Sequence, residues 1–210
     1  KAADPFFRAA LKPAEELTEE EYSFILRYFF QANPHRMIRR YQRYGELLDG
    51  WRAADRNPSR ARQFFTPRTM RDLQVLSQLA WFDEEFLAHD PEVRALVAKG
   101  RDYSLEDQQL MGRKQIEILG KVIPIYREFA ARGQIEITTT PFYHPILPLL
   151  CDTNIAAVSH PFVPLPPVFR YPQDARCQLE RAREYMKEKF GAPPRGLWPS
   201  EGSVSDEVFS

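Results

Sequence analysis

Residues 195–203 read Arg-Gly-Leu-Trp-Pro-Ser-Glu-Gly-Ser, and this short stretch decides the fold class. The segment 195–198 is typical of a short buried strand that follows a Pro-Pro turn. A helix is expected to begin at Ser203, with Asp206 three residues later as its capping-box partner. Glu201 therefore lies between the carboxyl end of a strand and the start of a helix, where α/β folds place their chemistry.

Two neighbours of Glu201 bear on its role. Gly202 allows a backbone conformation, or a close approach, that a Cβ atom would block. The indole of Trp198 offers a flat apolar surface that can hold a sugar or shield a carboxylate from water. Spacing alone leaves the alternative of a solvated loop carboxylate open, which is the commoner role of a loop glutamate.

The composition changes at Gly133, where a second strand is predicted. Residues 134–140 are β-branched and alternate in polarity, and a loop and a proline-rich stretch, 151–172, follow them. So many prolines make a loop stiff, which suits the wall of a binding cleft. An amphipathic helix is expected over 173–190. Residues 133–210 thus indicate a βαβ unit of a parallel sheet or barrel.

The first 132 residues are predicted to be almost entirely helical. Capping boxes or a cap followed by proline mark helix starts at Thr18, Asn33, Thr66, Asp90 and Ser104. Apolar side chains follow each start at helical spacing, which is more typical of core packing than of a ligand site. On the longest helix this stripe includes Leu119, Val122, Ile125, Tyr126 and Phe129. The expected organisation is a helical block, 1–132, followed by a βαβ portion, 133–210.

Polar side chains follow both predicted strands. Tyr143 and His144 come after strand 134–140. Glu201 comes after strand 195–198. Adjacent parallel strands bring the loops at their carboxyl ends to the same face of a sheet. A carboxylate, a histidine and aromatic rings would together form a sugar-binding cleft.

Composition and missing motifs give no support to several classes of function. Lys plus Arg and Asp plus Glu number 29 each, so no net charge draws the chain to nucleic acid or to a membrane surface. No run of eighteen apolar residues predicts a transmembrane span, and no signal-peptide pattern is present. The nucleotide-binding, zincin and serine-hydrolase motifs are also missing. We therefore expect neither a cofactor nor a metal site.

The two cysteines, Cys151 and Cys177, match neither the spacing of a zinc ribbon nor that of a redox pair. A disulfide between them stays an alternative without support, and a reduced protein in the cytoplasm is the default expectation. Both chain ends are expected to be cuts through a longer polypeptide. The chain begins at Lys1 without a methionine, and it ends soon after the helix start predicted at Ser203.

Two segments together resemble the second and third sequence regions of glycoside hydrolase family 57. Residues 133–150 read Gly-Gln-Ile-Glu-Ile-Thr-Thr-Thr-Pro-Phe-Tyr-His-Pro-Ile-Leu-Pro-Leu-Leu, and residues 196–204 read Gly-Leu-Trp-Pro-Ser-Glu-Gly-Ser-Val. The stretch 169–175 and the opening helical block, with its segments 12–18 and 36–38, also look like this family. The resemblance covers nearly the whole chain. The family contains α-amylases, amylopullulanases, 4-α-glucanotransferases and branching enzymes.

The resemblance implies a portion of an incomplete (β/α)7 barrel with a large helical insertion. It also implies a retaining glycosidase or transglycosylase that acts on starch- or glycogen-type α-glucan, with Glu201 as the nucleophile. His144 and Glu136 become substrate-binding or supporting residues, and Trp198 becomes a wall or shield in the nucleophile motif. Tyr143 stays a cleft residue on the strength of its position after the strand. A retaining enzyme needs two carboxyl groups about 5–5.5 Å apart, one to attack and one to protonate the leaving oxygen. A histidine beside the nucleophile would help to keep that carboxylate ionised.

The chain departs from the family pattern at both ends. The histidine-containing first region would precede Lys1, and the general acid/base aspartate would follow Ser210 in the remainder of the same polypeptide. This chain alone is therefore expected to be inactive. A non-catalytic carbohydrate-binding or interaction module stays an alternative. A metal-dependent polysaccharide deacetylase is disfavoured, because the four histidines show no H-x-x-x-H spacing.

Overall fold

The computed structural model describes residues 4–209. The chain divides into two compact units, Lys1–Leu119 and Gly120–Ser210. The division falls inside one long helix, and each unit has its own cluster of buried apolar side chains.

The first unit is helical, as the sequence predicts. Its helices are α1 (Pro5–Leu11), α2 (Glu19–Tyr28), α3 (Gln42–Ala53), α4 (Pro58–Ala61), α5 (Pro67–Leu79), α6 (Glu84–His89), α7 (Pro91–Lys99) and the first part of α8 (Leu105–Ala131). A 3-10 turn, Ala14–Glu16, precedes α2. The predicted capping box of Thr18 is confirmed, since its hydroxyl accepts from the Glu21 N–H and the Glu21 carboxylate accepts from the Thr18 N–H.

The helix predicted to begin at Asn33 is interrupted. It consists of one π-helical turn, Pro34–Ile38, followed by α3. Tyr41 between them has an extended backbone, is buried, and donates from its hydroxyl to the Leu79 carbonyl oxygen at 3.3 Å. Packing of this side chain into the core thus overrides the local helical preference.

Two buried glutamines close the carboxyl end of α1. Gln74 Nε2 donates to the carbonyl oxygens of Ala9 and Lys12 at 2.6 and 2.9 Å. Gln108 Nε2 donates to those of Ala10 and Lys12 at 2.6 and 3.1 Å. The last carbonyl groups of a helix have no partner within the helix, so these amides from α5 and α8 supply the missing donors.

The carboxylate of Asp72 is fully buried in the first unit and is held by two residues distant in sequence. Arg43 Nε donates to its Oδ2 at 2.8 Å, and the backbone N–H of Tyr103 donates to its Oδ1 at 3.1 Å. A buried carboxylate is tolerated only when such partners satisfy it. This contact therefore ties α3 and the segment before α8 to α5.

The apolar stripe predicted on α8 is buried only in its first part. Met111 belongs to the core of the first unit. The later members are each more than a third exposed, namely Leu119, Val122, Ile125, Tyr126 and Phe129. The prediction that the whole stripe packs in a core was therefore wrong for these residues. The core cluster of the first unit ends at Met111, and the stripe continues beyond it.

The described part of the second unit, 120–209, is built around a short parallel sheet. Its elements after α8 are β1 (Thr138–Thr139), α9 (Leu147–Cys151), α10 (Ala156–Ser159), α11 (Pro172–Phe190), β2 (Gly196–Leu197) and α12 (Asp206–Phe209). Short 3-10 turns lie at Thr153–Ile155 and Ser200–Gly202. The two strands are parallel, with Thr138 opposite Gly196 and Thr139 opposite Leu197. The sequence predicts this arrangement, in which two parallel strands are separated along the chain by helices.

The regular elements of this unit are shorter than predicted. Residues 134–137 lie outside β1, which pairs with β2 over two residues. The helix start predicted at Ser203 was wrong, since α12 begins at Asp206. Ser203 has an extended backbone, and its N–H donates to the Ser200 carbonyl oxygen at 3.0 Å. It therefore completes the turn that follows β2.

Leu147, Cys151 and Ala175 form the buried centre of the second unit, and side chains of α11 and α12 pack against it. The thiols of Cys151 and Cys177 are both free. Burial raises the pKa of the Cys151 thiol. Across residues 4–209, no helix combines the length and the apolar character that crossing a membrane requires.

Gly196→Ala is expected to weaken the pairing of β1 and β2 by about 1–3 kcal/mol, as other overpacked sites are weakened. A Cβ atom at position 196 would lie 2.8 Å from Thr138 Cγ2, inside van der Waals contact. Hydrogen exchange at the Trp198 N–H reports this pairing, because that group donates to the Thr139 carbonyl oxygen at 2.8 Å. Its exchange should accelerate in the variant.

The matched control is Gly120→Ala, where nothing lies within 4 Å of the added atom. This substitution in α8 should leave the exchange of Trp198 unchanged. Adding Thr138→Ser to Gly196→Ala removes Cγ2 and should restore slow exchange. Fast exchange in that double variant would show that the clash is not the cause.

Candidate active site

Glu201 lies in a tight turn directly after β2. The carbonyl oxygens of Pro199 and Ser200 accept from the N–H groups of Gly202 and Ser203, each at 3.0 Å. Gly202 has a φ of 67°, so the freedom predicted for this glycine is used. Glu201 itself has a φ of 56° and a ψ of 19°, a left-handed conformation that costs a non-glycine residue about 1–2 kcal/mol.

His144 lies in the equivalent turn after β1. Its N–H donates to the Pro141 carbonyl oxygen at 2.9 Å, and its φ is also 56°. Within residues 120–209, His144 and Glu201 are the non-glycine residues with positive φ. Strain of this kind clusters at functional sites, where the surrounding structure holds a side chain in place.

The two turns bring these side chains together. His144 Nε2 lies 3.4 Å from Glu201 Oε1, and the side chains are 49% and 70% exposed. Parallel pairing of β1 and β2 puts both turns at the carboxyl end of the sheet, as the sequence argument expects. The result is a carboxylate with an imidazole at hydrogen-bond range, open to a ligand from solvent. We call these residues the His144–Glu201 pair.

Helix α11 supports the turn that carries His144. The backbone carbonyl of Gln178 accepts from the Phe142 N–H at 3.3 Å, and its Oε1 accepts from the Tyr143 N–H at 2.8 Å. The guanidinium of Arg181 lies over the rings of Phe142 and Tyr143, 4.5 and 5.2 Å from their centroids. Sequence reasoning missed both residues of α11. Their spacing of three puts them on one side of the helix, but it does not indicate which segment that side contacts.

The other predicted site residues lie toward opposite ends of the two strands. Trp198 directly follows β2, and its side chain is 63% exposed. Tyr143, next to His144, is 68% exposed. Glu136 instead precedes β1, so it lies toward the amino end of the strands and away from the His144–Glu201 pair. There it lines a cavity of about 500 Å³ together with Arg195.

The arrangement of His144 and Glu201 suits nucleophilic attack by a carboxylate better than it suits metal binding. An exposed carboxylate can attack an electrophilic carbon, and a neighbouring imidazole can orient it. Among residues 4–209, no group of three or more His, Cys, Asp or Glu side chains is arranged to hold a metal ion.

Comparison with known proteins identifies the family. The model of glycosyl hydrolase family 57 matches residues 14–210. The chain belongs to glycosyl hydrolase family 57. A stretch of 72 residues is also 32% identical to Alpha-amylase 1 of Dictyoglomus thermophilum (strain ATCC 35947 / DSM 3960 / H-6-12). This stretch covers 34% of the chain and 8% of that amylase, so it spans a small part of the relative. No solved structure matches this family 57 chain.

Proposed function

We propose that this family 57 chain carries the nucleophile of a retaining enzyme that hydrolyses or transfers α-glucan of the starch or glycogen type. The observation that best supports the proposal is the approach of His144 Nε2 to Glu201 Oε1, at 3.4 Å, after two parallel strands. The same two turns lie within the matched family region. The proposed barrel is an incomplete (β/α)7 barrel, to which β1 and β2 contribute neighbouring strands.

In the proposed reaction, a carboxylate oxygen of Glu201 attacks the anomeric carbon of a glucose unit. The bond to the leaving glycosidic oxygen breaks, and that oxygen takes a proton from an acid/base aspartate outside residues 1–210. Water or a second sugar hydroxyl then displaces Glu201, giving its proton back to the aspartate. His144 orients the Glu201 carboxylate, whose Oε1 lies 3.4 Å from its Nε2.

Trp198 and Tyr143 are the proposed aromatic walls for the sugar, because both side chains are exposed and belong to the segments that carry Glu201 and His144. For Glu136 a supporting role fits better than sugar contact, because it lies toward the other end of the strands. The proposed location is the cytoplasm, where the free thiols of Cys151 and Cys177 would stay reduced.

The test is covalent trapping with 5-fluoro-α-D-glucosyl fluoride, followed by peptide mapping with mass spectrometry. Fluoride leaves without needing a proton, so the label reports the nucleophile independently of the acid/base residue. We expect a glucosyl adduct on Glu201, none in Glu201→Gln, and normal labelling in Glu180→Gln, which alters an exposed glutamate of α11.

An adduct on another residue would contradict the assignment of Glu201. Saccharide binding without any adduct, in this chain and in the longer polypeptide, would instead favour the non-catalytic binding module.

A further inference from the structure

A second concave surface begins two residues after Glu201. This lateral cleft has a volume of about 770 Å³. One wall comes from residues 155–160, which include α10, and the other from residues 203–206 and α12. Ile146, Pro148 and Leu149 complete the lining. Its polar residues are Ser159, His160, Ser203, Ser205 and Asp206, and its apolar surface includes Val158 and Phe209.

The lateral cleft is adjacent to the candidate nucleophile. Consecutive Cα atoms are 3.8 Å apart, so the Cα of Ser203 lies within about 7.6 Å of that of Glu201. The hydrogen bond from the Ser203 N–H to the Ser200 carbonyl oxygen holds the cleft wall to the turn that carries Glu201. A ligand bound in the cleft would therefore extend toward the His144–Glu201 pair.

The loop wall of the cleft is fixed at its base. The Thr153 N–H donates to the Phe169 carbonyl oxygen at 3.1 Å, and the Phe169 N–H donates to Thr153 Oγ1 at 2.9 Å. Arg170 pairs with Asp152, and this hydrogen bond is the largest cause of the lowered pKa of Asp152. Most of the lining residues of this wall lie in α10, and the prolines at 161, 164, 166 and 167 restrict the backbone of the segment that follows it.

The chemistry of the lining fits a neutral, polyhydroxylated ligand. Hydroxyl, imidazole and carboxylate groups exchange hydrogen bonds with sugar hydroxyls, and the apolar surface accepts the C–H faces of sugar rings. Lysine and arginine are missing from the lining residues that the structure describes, so a phosphorylated ligand would meet only a carboxylate. The volume lies in the usual range of about 300–1,000 Å³ for ligand pockets.

We propose that the lateral cleft binds the glucose units of the α-glucan chain next to the bond that is broken at Glu201. His160 and Asp206 are then residues that recognise the length of the glucan chain rather than residues of the chemical step. This inference rests on the proposed function of the His144–Glu201 pair.

The experiment measures binding of maltoheptaose to the 210-residue chain by isothermal titration calorimetry, with the methyl NMR signals of Ile155 and Val158 as local reporters. Both side chains line the cleft. We expect these signals to shift on binding. His160→Ala should raise Kd roughly three- to tenfold, the effect of losing one hydrogen bond. Ala156→Trp, which fills the cleft, should raise Kd at least about tenfold.

The matched control is Phe162→Ala on the same loop. Phe162 is 97% exposed and does not line the cleft, so its removal should leave Kd unchanged. All variants should react normally with the fluoride trap, which is a single sugar and needs no extended cleft. An unchanged Kd in both cleft variants, or unshifted methyl signals, would overturn the cleft proposal while an adduct on Glu201 still supported the nucleophile. Loss of the Glu201 adduct in the unmodified chain would instead contradict the proposed function.

Discussion

Glu201→Gln is expected to lower kcat for α-glucan by about 10⁴-fold or more in the longer polypeptide, as losses of other covalent nucleophiles do. Glutamine keeps the size of the side chain and its reach to His144. It cannot supply the negative oxygen that bonds to the anomeric carbon, so the covalent step is lost. Steady-state kinetics with a starch-type substrate measures the effect, and circular dichroism checks the fold.

Glu180→Gln is the matched control, and its kcat should stay within twofold of the unmodified enzyme. A decrease of less than tenfold in Glu201→Gln would refute the nucleophile role.

The left-handed backbone allows a second variant of the same site to separate activity from stability. Glycine accepts a φ of 56° without strain, so Glu201→Gly should keep or raise the free energy of unfolding, by up to about 1 kcal/mol. Its kcat should fall as far as that of Glu201→Gln. Azide, entering the vacated space, should restore cleavage of the glucosyl fluoride and yield a glucosyl azide of inverted configuration. Loss of stability in this variant would show that the Glu201 side chain supports the fold.

Arg43→Met should lower the free energy of unfolding of the first unit by about 3–5 kcal/mol. The Asp72 carboxylate is fully buried and accepts from Arg43 Nε at 2.8 Å, so the variant leaves a buried negative charge with the Tyr103 N–H as its remaining recorded donor. Methionine approximates the apolar stem of arginine, which limits the loss from packing alone. Adding Asp72→Asn removes the charge and should recover part of the loss.

Urea unfolding followed by tryptophan fluorescence measures this effect, because Trp51 on α3 is buried whereas Trp81 and Trp198 are exposed. Arg52→Met is the matched control on the same helix. Arg52 is 45% exposed and lies 3.8 Å from Asp49, so its loss should change stability by less than about 1 kcal/mol. Equal effects of Arg43→Met and Arg52→Met would mean that Asp72 does not depend on its arginine.

Local signals explain what the sequence could predict. Helix starts such as Thr18 depend on side chains within three residues, so they are readable directly and the structure confirms them. The meeting of His144 and Glu201 follows from parallel pairing, which fixes the end of the sheet at which both turns lie. The length of β1 could not be predicted from local signals, because it depends on pairing with a segment distant in sequence.

Contacts between distant segments explain what the sequence could not predict. Tyr41 interrupts the predicted helix because its side chain packs in the core and reaches Leu79. Gln178 and Arg181 support the turn of His144 from a helix that begins 28 residues later. No local sequence pattern predicts contacts between segments so far apart. The exposure of Tyr126 and its neighbours on α8 likewise depends on what packs against that helix, not on its spacing.

The closure of α1 by two glutamines sets an order of assembly for the first unit. Helix α1 is synthesised before α5 and α8, yet its last carbonyl groups receive their donors from residues 65 and 98 positions further along the chain. Until Gln74 and Gln108 have been synthesised and packed, those carbonyl groups must stay bound to water. Although it precedes both of these helices in the chain, α1 is therefore completed only after them.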